Sequence, residues 1–195
     1  MKDIYLLRHG QSQSNAEGFL AGRMDVPLTE KGEEQAVDAG KRLGDWQPDR
    51  ILSSPLQRAA DTARLAVPSQ EIELVPGLME TNFGKAEGKT FVELQAENLD
   101  IWLQSTREQM DAHYEEGESM RMVYQRVIET IPQIIGDETT DEKILIVAHW
   151  GSISSLLAYW VAGQDEGMTH FSCGNARLSR VQVFDGFGVL TELNV

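Results

Sequence analysis

The stretch Ile4–Asn15, IYLLRHGQSQSN, decides the fold. Four apolar residues, Ile4–Leu7, run directly into Arg8, His9 and Gly10. A run this short and apolar reads as a buried strand, here Asp3–Leu7. Charged and polar groups are seldom fully buried without partners. Their place at the strand's carboxyl end therefore points to a task there.

Two other stretches share the pattern. "RILSS" (Arg50–Ser54) reads as a strand that ends in Ser53-Ser54-Pro55. Pro55 then opens a helix to about Leu65, with Arg58 in its first turn. "KILIVAH" (Lys143–His149) is the strongest strand and ends in His149, ahead of a buried helix over Gly151–Val161. In open α/β sheets, ligands bind at the carboxyl ends of the strands. If these three strands are parallel neighbours, two arginines and two histidines meet in one crevice.

The remaining segments fit such a sheet. Thr29 caps a helix over Glu30–Leu43, with Ala36, Val37, Gly40 and Leu43 facing inward, although its glycines weaken the pattern. "EIELV" (Glu71–Val75) alternates like a strand and turns at Pro76-Gly77. Residues Phe91–Asp111 read as helical in two pieces. Ser119 caps a helix over Met120–Ile135, kinked at Pro132, with a stripe through Met120, Val123, Val127, Ile131 and Ile134. Leu178–Phe184 and Val189–Leu193 read as strands joined at Asp185-Gly186. Alternating strands and helices predict a three-layer α/β/α sandwich with a largely parallel central sheet. At 195 residues, one domain over 1–195 is the simplest organisation.

Composition narrows the partners. A formal net charge of −14 repels nucleic acid and anionic lipid, so neither is expected to bind. Cys173 is the single cysteine, which rules out an internal disulfide and suits a reducing cytoplasm. The N-terminus lacks a secretion-signal pattern, and no apolar run is long enough to span a bilayer. A homodimer stays open.

The crevice chemistry follows from its charges. His9 and His149 with a carboxylate could hold a metal, but two guanidinium groups would repel a divalent cation, and no HxxH or HxxxH spacing supports zinc. An anion fits better. Arginine forks match phosphate oxygens, and a helix N-terminus near Pro55–Arg58 adds positive charge. A neutral imidazole attacks phosphorus, and neighbouring arginines favour that neutral form of His9. His149 can donate to the oxygens as charge develops. The leaving alcohol needs a proton. Like charge from a bound phosphate favours a protonated carboxyl group, with Glu80 in "GLMETNFGKAEGKT" first and Glu87 second. Rival nucleophiles fail on spacing. Cys173 lacks an arginine after five intervening residues, and Ser152 lacks a GxSxG elbow.

With these residues assembled, "LLRHGQSQSN", "GRMDVPLTEKGEEQA", "SSPLQRAADTA", "LMETNFGKAEGKT", "EEGESM" and "ILIVAHWGSI" resemble, in order, the phosphoglycerate-mutase-like group of the histidine phosphatase superfamily. The resemblance runs from Lys2 to about Ala162. It implies a phosphohistidine intermediate on His9 and no metal or other cofactor. It also implies phosphate held by Arg8, Arg58, His149 and Asn15, with Glu80 as proton donor. Arg23, Gly151 and Asn175 would lie on the substrate side, and segments near 17–25 and 82–116 would cap the crevice. Two departures stand out. Gln11-Ser12 replaces the usual acid and threonine. Trp150 stands where the family usually has glycine, a strained position if its φ is positive, and an indole there would narrow the pocket mouth. The chain is shorter than the mutases proper. The expected activity is hydrolysis of a small phosphorylated metabolite. A phosphoglycerate-type mutase and a phosphate-binding module without turnover are the alternatives.

Overall fold

A computed structural model describes residues 1–97, 110–137 and 139–195. The reading of residues 98–109 as helical lies outside the described residues. Among those described, six strands form one sheet in the order β3-β2-β4-β1-β5-β6. They are β1 (Lys2–Arg8), β2 (Arg50–Ser53), β3 (Ile72–Leu74), β4 (Glu142–Ala148), β5 (Leu178–Phe184) and β6 (Phe187–Glu192). Strands β1, β2, β3 and β4 run parallel, and β5 and β6 add an antiparallel edge. The sheet is thus mixed, with the parallel part at its centre.

Alternation along β1 and β4 sorts side chains to two faces, as strand geometry demands. Ile4, Leu6, Ile144 and Ile146 pack on one side, while Tyr5, Leu7, Leu145 and Val147 pack on the other. The second face is covered by α2 (Glu30–Leu43) and α3 (Gln57–Ala66). The first is covered by α5 (Met120–Ile128) and α7 (Trp150–Leu157), through Val123, Val127 and Ile153. Two short helices precede these in the loops, α1 (Gln13–Glu17) and α4 (Phe91–Ala96).

Local chemistry explains most boundaries. Thr29 accepts from the Gly32 N–H and Ser119 from the Met122 N–H, as N-caps do. Ser12 and Thr90 cap α1 and α4 in the same way. The glycines of α2 are contact points. A Cβ on Gly32 would lie 2.0 Å from the Gln11 carbonyl oxygen, and one on Gly40 would lie 2.1 Å from that of Ala66.

Four expectations are corrected. Val37 is 40% exposed, and Ala39 is the buried residue of that turn. Pro55 precedes α3 rather than opening it, because Leu56 is the N-cap. Met120–Ile135 is two helices, α5 and then α6 (Ile131–Ile135), with Pro132 in the first turn of the second. The buried helix α7 ends at Leu157 and passes into a π turn over Ala158–Ala162.

Candidate active site

Strands β2, β4 and β1 are adjacent and parallel, so their carboxyl ends share one rim. The ladder continues one step beyond the strands. The His9 N–H donates to the Ala148 carbonyl at 3.0 Å, and the Ser54 N–H to that of Val147 at 3.0 Å. This fixes His9 and His149 side by side, with ring centroids 5.0 Å apart.

Both rings are buried. His9 Nδ1 lies 2.7 Å from the Gly10 carbonyl oxygen, which can only accept, so Nδ1 carries the proton and Nε2 keeps its lone pair. Burial holds the His9 imidazolium well below its usual range, and the charges of Arg8 and Arg58 push the same way. His149 is depressed similarly, by burial first and then by Arg58. Its Nε2 meets Ser54 Oγ at 2.8 Å, and its buried Nδ1 has no partner among the described residues. A neutral ring that accepts from Ser54 at Nε2 presents Nδ1–H as an unused donor.

The arginines are anchored from behind. One Arg8 nitrogen donates to the Cys173 carbonyl at 2.6 Å, while its buried Nε has no partner among the described residues. Arg58 donates to the Gly22 and Met24 carbonyls at 2.7 and 2.9 Å. Both guanidinium groups line a cavity of about 330 Å³ together with His9, Asn15, Glu80 and Trp150. The Asn15 Oδ1 accepts from Ser12 and from Asn175 Nδ2 at 3.0 Å, which leaves the amide NH₂ as the end available to an anion.

Glu80 and Glu87 separate cleanly. Glu80 lines the cavity, and its Oε1 accepts the Gly151 N–H at 3.1 Å from the first turn of α7. Glu87 is spent on the backbone: Oε1 accepts from Arg23 and Phe83, and Oε2 from Met24. It fastens the loop around Arg23 to the loop that follows Glu80.

The three expected substrate-side residues have partners within the protein. The Arg23 guanidinium turns to Met79 and Glu118 and does not line the cavity. Asn175 holds the His9 carbonyl and Asn15. Gly151 seats Glu80, since a Cβ there would lie 2.5 Å from Oε1. At the start of α3 the Gln57 N–H donates to Asp25 at 2.6 Å. Trp150 is unstrained: it opens α7 and is absent from the residues with positive φ. Cys173 is a buried thiol that burial raises to about 11, inert as a nucleophile at neutral pH.

Sequence reasoning missed the supports. Thr62 accepts the Gly10 N–H at 3.0 Å, and Ser54 sets the His149 ring. Arg126 donates to the Gly77 and Met79 carbonyls and pairs with Glu118, which clamps the loop carrying Glu80. No periodicity marks such residues, because each partner is distant in sequence.

The model of the histidine phosphatase superfamily (branch 1) matches residues 4–195. The chain belongs to the histidine phosphatase superfamily. Among curated relatives of this superfamily, the adenosylcobalamin/alpha-ribazole phosphatase of Escherichia coli (strain K12) is 31% identical over 98% of this chain and 95% of its own. A 2,3-bisphosphoglycerate-dependent phosphoglycerate mutase of Protochlamydia amoebophila is 30% identical over 80% and 84%. Among solved structures, a mycobacterial glucosyl-3-phosphoglycerate phosphatase with VO3 superposes with a TM-score of 0.91 at 27% identity, covering 100% of both chains. The six-stranded α/β sandwich is the fold of these histidine phosphatases, and the expected phosphomonoester hydrolysis agrees with the family and with its phosphatase relatives. Among the described residues, no helix is long and apolar enough to cross a membrane.

Proposed function

We propose that the chain hydrolyses small phosphomonoesters through a covalent phosphohistidine on His9. The observation that carries this reading is His9 itself. Its ring is buried and neutral, its proton is held on Nδ1 by Gly10, and two guanidinium groups stand beside it. The phosphoryl group sits between Arg8, Arg58, Asn15 and the free N–H of His149. His9 Nε2 attacks phosphorus, and the bond from phosphorus to the alcohol oxygen breaks. Glu80 gives its proton to that oxygen. Gly10 then steadies the positive charge on the phosphorylated ring. In the second half, Glu80 takes a proton from water as the water oxygen attacks phosphorus. The P–N bond breaks, the electron pair returns to Nε2, and inorganic phosphate leaves. Positioned acid–base groups contribute about 10²–10⁴-fold to such steps, and fixed donors at developing charge add a comparable factor.

The test is phosphate release across about a hundred phosphorylated metabolites at several pH values, in chelator. Turnover that survives chelation supports the reading, and its loss would point to a metal. The mutase relative motivates one alternative. Mutase and phosphatase share the first half-reaction and differ in the acceptor of the phosphoryl group. Monophosphoglycerate supplied with a trace of bisphosphoglycerate should give free phosphate, and interconversion without phosphate release would favour the mutase.

A further inference from the structure

We propose that the substrate's leaving alcohol carries a flat, uncharged ring, and that Trp150 is the platform on which it stacks; this rests on the phosphatase reading above. A phosphoryl group fills only part of a cavity of about 330 Å³. The remaining lining is mostly apolar, with Phe19, Leu20, Phe83, Phe91 and Trp150 beside Ser14 and three small residues, Gly18, Ala21 and Gly22. Trp150 and Phe83 line the same cavity as Glu80. Trp150 directly precedes Gly151, whose N–H holds the Glu80 carboxylate, and Phe83 follows Glu80 by three residues. Glu80 is the acid for the leaving oxygen, so whatever is attached to that oxygen passes these rings.

The charges argue in the same direction. Among the described residues lining the cavity, the cations are Arg8 and Arg58, both engaged with the phosphoryl group. The nearby Arg23 is tied to Glu118. A carboxylate on the leaving group would meet no counter-charge there and would face Glu80, and an unpaired buried charge is costly. A π surface meets aromatic edges and faces instead. Trp150 is the first helical residue after His149, so the backbone that sets the second histidine also sets where the indole leaves the chain.

Adenosine 5′-monophosphate and ribose 5-phosphate lose the same primary alcohol and differ by a neutral planar base. Phosphate release from each, and from 3-phosphoglycerate, should be compared as kcat/KM for the wild type and for Trp150→Ala, Trp150→Gly and Trp150→Phe. Stacking of a base on an aromatic side chain favours the ring-bearing ester by about tenfold or more. The expected order is adenosine 5′-monophosphate, ribose 5-phosphate, then 3-phosphoglycerate. Trp150→Ala and Trp150→Gly should bring the first ratio close to one, while Trp150→Phe keeps most of it. A merely structural role would lower both esters together and leave the ratio unmoved. A wild-type ratio near one, a ratio that survives Trp150→Ala, or 3-phosphoglycerate as the best substrate would overturn the proposal. If the wild type releases phosphate from none of the three, equilibrium binding decides the stacking claim, and the metabolite screen above decides hydrolysis separately. Adenosine 5′-monophosphate bound about tenfold more tightly than ribose 5-phosphate, with the gap closing in Trp150→Ala, supports it. Equal affinities refute it.

Discussion

At the scale of single residues, two carboxyl groups seven positions apart do different work. Glu80 faces the cavity and Glu87 accepts three backbone N–H groups. Glu80→Gln is expected to lower kcat by about 10²-fold or more on alkyl phosphates, whose alcohols leave poorly without a proton. The loss should be far smaller on p-nitrophenyl phosphate, whose phenolate leaves unaided. Glu87→Gln should instead cost about 1–3 kcal/mol of stability, read by chemical denaturation, since a carbonyl cannot replace both carboxylate oxygens. Equal kinetic penalties for the two variants would contradict the division. Sequence alone ranked Glu80 ahead of Glu87 without separating them, because two of the three backbone partners of Glu87 are 63 and 64 positions away. Arg8, His9 and His149 stand out in the sequence because a polar or charged group at the end of an apolar strand has few bland explanations, and Arg58 because it lies in the first turn of the helix after such a strand. Arg23 was not, because a side chain's direction depends on Glu118, 95 positions distant.

At the scale of elements, the site depends on how closely the loop after β1 approaches α2. A Cβ on Gly10 would lie 2.2 Å from the Gly32 carbonyl oxygen. That contact is with backbone and cannot be relieved by a rotamer change. Gly10→Ala is therefore expected to destabilise by about 1–3 kcal/mol, as overpacking does, and to disturb His9 next to it. Thermal unfolding and kcat should both fall, and an unchanged melting temperature would refute the close approach. The element pattern was readable where period and cap agreed, as in α2 after Thr29. It misled at Met120–Ile135, because the apolar stripe keeps its 3.6-residue period across the break between α5 and α6. Pro132 decides the outcome: it lacks an N–H, and its ring would collide with the Ile128 carbonyl in a continuous helix.

At the scale of the molecule, a chain of net charge −14 encloses a pocket lined by two guanidinium groups and the buried neutral His9, with the buried neutral His149 beside that ring. Folding depresses both imidazoles, so below about pH 6.5, the unfolded value, the unfolded chain binds protons that the folded chain does not. Their contribution to stability is complete above that pH and is lost as pH falls below it, by up to about 1.4 kcal/mol per pH unit for each histidine. Urea denaturation of the phosphate-free protein at pH 7.5, 6.5 and 5.5 should show the loss in the last interval, with a smaller slope in His149→Gln. Identical slopes would mean that His149 is not held neutral. The polar interior was legible only in its members, since their depth in the fold comes from the strand order β2-β4-β1. What that order serves is tested most directly by phosphoryl labelling. Brief exposure to a ³²P-phosphomonoester and an alkaline quench should trap label that is alkali-stable and acid-labile on the wild type and absent from His9→Ala. Label of the same stability persisting on His9→Ala would contradict His9 as the nucleophile.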